Sequence, residues 1–78
     1  MTVVINSPLV VRATFYGGTS SGAISVPGLN VGDVLLRFVP SGFEYGFEPS
    51  VSVADQIQQN AALDWSSVLL TAYFLRGV

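Results

Sequence analysis

The stretch Val34-Leu35-Leu36-Arg37-Phe38-Val39 decides the fold. Five of its six residues are apolar. Gly32-Asp33 precedes it and Pro40-Ser41-Gly42 follows, so it is too short for a helix of useful length and is bracketed as a strand. Side chains alternate along an extended backbone, which predicts Val34, Leu36 and Phe38 on one face and Leu35, Arg37 and Val39 on the other. A strand that is apolar on both faces is either sandwiched or part of an interface.

The rest of the chain repeats this grammar. Val68 to Arg76 is again apolar on both faces, with Val68, Leu70, Ala72 and Phe74 opposing Leu69, Thr71, Tyr73 and Leu75. Leu9 to Tyr16 and Ala23 to Val26 are further strands, and Met1 to Ile5 is a first one, closed by Asn6-Ser7-Pro8. Gly17 to Gly22 has no side chain large enough to pack and reads as an exposed loop. Pro27 to Asp33 reads as a compact connection in which the glycines take positive φ while Leu29 and Val31 anchor it.

Phe43 to Phe47 carries three aromatics around Gly46, which suits a bulge or a close backbone approach. Val51 to Gln59 holds two patterns. Ser52 and Asp55 resemble a capping box, with Val53, Ile57 and Ala61 at helical spacing over 53–62, while alternation around Val51, Val53 and Ile57 favours a strand. The strand is preferred because its surroundings are all β. Asn60 to Ser67 is a loop anchored by Leu63 and Trp65.

Val, Ile, Thr, Phe, Tyr and Trp supply 28 of the 78 residues, and the eight Gly and four Pro are scattered at short intervals. The expected architecture is all-β: a small antiparallel β-sandwich or jelly-roll-like barrel of six to seven short strands, forming one domain over residues 1–78.

Charge is scarce. Only 10% of residues are charged, against about 25% in an average soluble protein. A folded monomer of this mass exposes about 4,600 Å², so much of its surface is uncharged. Three Arg, no Lys and a net charge of −2 supply no basic face for nucleic acid or anionic membrane. The absence of His and Cys removes the usual zinc ligands, thiol nucleophiles and His-based triads. The first residues lack a basic stretch ahead of their apolar ones, and no run approaches a membrane span, so a cytosolically made, non-membrane product is expected.

The polar residues offer little chemistry. Glu44 and Glu48 would stand about 13 Å apart on an extended segment, which suits solvated or salt-bridged glutamates better than a glycosidase pair. Asp33, Asp55 and Asp64 stand at turns, where aspartate caps backbone donors. The nine serines have no histidine or lysine as a base. The glycines at 17, 18 and 22 lack the lysine and the helix of a phosphate loop. No enzyme activity, metal or cofactor is expected.

Two kinds of residue point to binding instead. Arg12, Arg37 and Arg76 lie in or at the ends of apolar strands, where an arginine pairs with an acid across a sheet or a subunit boundary. The two-faced strands and the aromatic segment supply the expected contact residues: Leu35, Arg37, Val39, Phe43, Tyr45, Phe47, Leu69, Tyr73, Leu75 and Arg76. The alternative is a carbohydrate- or receptor-binding module, with Tyr16, Phe43, Tyr45, Phe47 and Trp65 as a stacking platform beside Gly17 to Gly22.

The succession of Pro27-Gly28-Leu29, Val31-Gly32-Asp33-Val34-Leu35, the aromatic segment, Ile57-Gln58-Gln59, Asp64-Trp65-Ser66 and a closing strand ending in Arg76 resembles small β-sandwich structural proteins of tailed bacteriophages. These are the decoration or cement type and their head-fibre and tail relatives. The likeness covers about 50 residues, from Ile24 to Arg76. It implies a virion protein without catalytic activity, a homo-oligomer and commonly a trimer, bridging copies of the major capsid protein or another virion protein.

Overall fold

The structure, a computed structural model, describes residues 9–77. The expected strand Met1 to Ile5 lies outside them. The chain is all-β, with antiparallel strands β1 (Leu9–Tyr16), β2 (Gly22–Ser25), β3 (Val34–Val39), β4 (Gln56–Gln59) and β5 (Leu69–Arg76). One sheet has the order β1-β5-β3, and β2 pairs with β4 in a second.

The segment from Phe47 to Val51 joins the two sheets. Leu35 N–H donates to Pro49 O and Val51 N–H to Asp33 O on one side, while Glu48 N–H donates to Gln58 O on the other. Single bridges Val34↔Ser50 and Phe47↔Gln59 continue the pairing. Extended backbone thus runs from β1 through β5, β3 and this segment to β4 and β2, and the edges of β3 and β4 that face each other are covered.

The core lies on the sheet face opposite Val10, Arg12 and Thr14 of β1. Phe15, Phe38 and Phe47 form an aromatic cluster with centroid separations of 4.7 to 6.2 Å, and Val26, Leu29, Val51, Ile57, Leu70, Ala72 and Phe74 are buried around it. Ala13 and Ala72 occupy the rung of Phe38, and these small side chains leave room for its ring. Each large apolar side chain buried in this way contributes about 1.5–3 kcal/mol.

Three local expectations change. A bulge between Leu35 and Arg37 inserts Leu36 as an extra residue, so Leu35 and Phe38 face inward while Val34, Arg37 and Val39 share the outer face. The cause is tertiary: Leu35 N–H is engaged by Pro49 on one side of β3 while Leu35 pairs with Phe74 on the other. Residues 52–55 form a turn instead of the start of a strand or helix, with Asp55 at φ 62° and its carboxylate accepting from Gly28 N–H. Val31 and Leu63, expected as anchors, are exposed.

Glu44–Gly46 is a single 3-10 turn, and Gly46 meets the close approach expected of it, since a Cβ there would overlap the Trp65 ring. Gly17 packs equally tightly, where a Cβ would lie 2.5 Å from Trp65 Cβ. Trp65 therefore packs between two positions that only glycine can fill, edge-on to Phe43 at 5.0 Å and stacked on Phe47 at 5.8 Å.

Candidate interaction surface

The outer face of the β1-β5-β3 sheet is built by strand register. Across its rungs lie Val10–Leu75–Val34, Arg12–Tyr73–Arg37, Thr14–Thr71–Val39 and Tyr16–Leu69. None of these side chains is buried. Val10, Tyr16, Val39 and Leu69 are exposed large apolar residues. Thr14 and Thr71 share a hydrogen bond of 3.3 Å across the strands. Among the described residues no carboxylate stands on this face. An antiparallel sheet with one solvated face normally shows polar residues there, whereas this one shows five aliphatic side chains and two tyrosines beside two threonines and two arginines.

Of the ten expected contact residues, Arg37, Val39, Leu69, Tyr73 and Leu75 are brought together here. Leu35 points inward through the bulge, and Phe47 is in the core. Phe43 is half-buried against Trp65. Tyr45 projects from the 3-10 turn, 96% exposed. Arg76 is committed elsewhere. Val10, Arg12, Thr14, Tyr16, Val34 and Thr71 complete the face. Arg12 was already a binding candidate and Thr71 followed from β5 alternation, whereas Val34 is turned outward by the bulge and Val10, Thr14 and Tyr16 join the face only through strand pairing.

The rings of the stacking-platform alternative are spread over several environments. Phe47 is buried, Phe43 and Trp65 are half-buried edge to face, and Tyr16 belongs to the outer sheet face. The Gly17 to Gly22 loop is exposed from Thr19 to Ser21 and is tied down at Gly18, whose N–H donates to Gln59 Oε1 at 2.8 Å.

Every carboxylate serves the backbone or the core. Asp33, 1% exposed, accepts from Arg76 Nε at 2.9 Å and Nη2 at 2.8 Å, and from Asn30 N–H at 2.9 Å. The Arg76 hydrogen bonds hold its carboxyl below the ordinary aspartate range, against the opposing effect of burial. Arg76 also donates to Gly28 O at 2.7 Å, and Asp33 in turn raises its pKa.

Glu44 accepts from the N–H groups of Phe38 and Gly42. These bonds lower its pKa, the Phe38 bond most and the Arg37 charge least. Glu48 accepts from Ser52 and from Gln58 N–H. Asp64 accepts from Ser66, whose side-chain and backbone hydrogen bonds lower its pKa. Glu44 and Glu48 are thus half-exposed turn caps, partly solvated as expected and without a salt bridge among the described residues. The capping expected of the three aspartates is what these hydrogen bonds perform. Among the described residues no three His, Cys, Asp or Glu side chains gather as a metal site would require.

In comparisons with protein-family models, curated proteins and solved structures, none matches this chain.

Proposed function

We propose that this chain is a non-enzymatic structural protein that works by burying the outer face of its three-stranded sheet against neighbouring protein. The setting is the one its resemblance implies, a virion whose coat it cements or decorates. The observation that carries the reading is the acid-free, largely apolar rung pattern from Val10–Leu75–Val34 to Tyr16–Leu69. Apolar area removed from water at such a face contributes about 25 cal/mol per Å². The scarcity of charge over the whole chain points the same way.

Leu69→Glu tests it. Leu69 is 51% exposed, so a glutamate there is solvated in the isolated chain, and its unfolding free energy should change by less than about 1 kcal/mol. Against a partner the same carboxylate is desolvated without a counter-charge, which costs several kcal/mol. Co-sedimentation with particles should fall at least about 100-fold relative to the wild-type chain and to an Ala23→Glu control on exposed β2. Undiminished incorporation of Leu69→Glu would overturn the reading.

A further inference from the structure

The outer sheet face carries two guanidiniums with no ion-pair partner among the described residues. Arg12 and Arg37 flank Tyr73 on one rung, both are exposed, and the single ion pair among the described residues is that of Arg76 with Asp33. All five acidic residues of the chain, at positions 33, 44, 48, 55 and 64, already accept hydrogen bonds from their own fold. Glu44, whose pKa the nearby Arg37 charge helps to lower, is held by two backbone N–H groups.

This distribution bears on what covers the face. A two-fold that stacks the face on itself about this rung sets guanidinium against guanidinium, whether the axis runs along the strands or across them. Shifting the register by one rung sets the arginines against Thr14 and Val39, or against Val10 and Val34, instead. In neither arrangement does a carboxylate meet an arginine, and burying an unpaired ion costs several kcal/mol. A different surface of a second copy offers only carboxylates that already cap their own turns, Asp55 and Asp64 each through a single oxygen.

From this charge pattern, and resting on the function proposed above, we infer that the face docks a protein of different sequence that presents carboxylates opposite Arg12 and Arg37 within an otherwise apolar contact. The planar guanidinium fork favours bidentate carboxylate recognition. The surrounding Val10, Val34, Leu69 and Leu75 favour a protein surface over nucleic acid, whose phosphates would call for more cations than this face supplies.

The chain contains no lysine, which gives a clean experiment. Arg12→Lys and Arg37→Lys keep the positive charge and place a single reactive amine on the face. Carbodiimide treatment of assembled particles then joins that amine to any carboxylate in contact with it. The expected product is an amide between the introduced lysine and an Asp or Glu of a different polypeptide, located by mass spectrometry. Arg12→Glu/Arg37→Glu should lower incorporation at least 30-fold, while the lysine variants stay within about 10-fold of wild type and the isolated chains unfold at similar temperatures.

Cross-links to this chain's own acids would overturn the inference in favour of a second copy. Nuclease-sensitive association without a protein cross-link would overturn it in favour of nucleic acid. Loss of incorporation in Leu69→Glu with full incorporation of the charge reversal would overturn it while leaving the proposed function standing, and a wild-type chain that joins no assembly would remove both.

Discussion

Arg76→Ala is expected to lower the unfolding free energy at pH 7 by about 3–5 kcal/mol, and Asp33→Asn by less. The asymmetry follows from which partner is left behind. Asp33 is 1% exposed, so removing Arg76 strands a buried carboxylate, whereas the Arg76 side chain is 28% exposed and can be rehydrated when Asp33 is neutralised. Marginal stability makes either change severe, since a domain of this length has on the order of 4–12 kcal/mol in total.

The pH dependence separates the two variants. In the wild-type chain the Asp33 carboxyl lies below its unfolded value of about 4, as do those of Glu44 and Asp64. These groups bind fewer protons folded than unfolded. Their contribution is therefore fully present above the unfolded values and is lost as pH falls through the folded ones. In Arg76→Ala the stranded Asp33 has its pKa raised, so the deficit relative to wild type should shrink as pH is lowered towards 4. Urea unfolding between pH 3 and 7 measures this. A deficit that is constant with pH would mean that Arg76 acts through packing alone.

Gln59→Leu should cost about 3 kcal/mol or more, although it replaces a polar side chain in the core with an apolar one of similar size. Gln59 has no exposed surface. Its Oε1 accepts from Gly18 N–H, and its Nε2 donates to the carbonyls of Ala61 at 3.0 Å and Leu63 at 2.9 Å. One side chain thus ties the end of β1 to the loop that carries Trp65, and its loss orphans three backbone groups at about 1–3 kcal/mol for each one that stays dry. Gln56→Leu, half-buried on the same strand, should change stability by less than about 1 kcal/mol. Equal midpoints for the two variants in chemical denaturation would show that the Gln59 hydrogen bonds contribute no more than a surface contact.

The parts of this fold that depend on local pattern were legible in the sequence. Runs of β-branched and aromatic residues between Gly and Pro marked β1, β3 and β5 to within a residue, and the position of the aspartates at turns predicted their capping. What escaped depends on neighbours distant along the chain. The Leu36 bulge is set by Pro49 and Phe74 and reverses the facing of Leu35 and Leu36.

Gln59 is buried because three backbone groups converge on it, while its sequence neighbours Gln56 and Gln58 are half-exposed and look the same in the sequence. Phe43 to Phe47 is apolar enough for an interface. The 3-10 turn there sends Phe47 into the core and Tyr45 into solvent. The outer face was only half legible: its β5 residues followed from simple alternation, but its β1 contribution required the pairing register.

Burial of that outer face by another protein is most directly visible in hydroxyl-radical footprinting of the chain, isolated and in assembled particles, with Tyr45, which lies in the 3-10 turn outside the three strands, as an internal reference. Tyr16, Leu69 and Tyr73 should be labelled readily in the isolated chain and at least about 10-fold more slowly in the particle, while Tyr45 keeps its rate. Equal labelling of Tyr73 and Leu69 in both states would contradict the assignment of this sheet face as the binding surface.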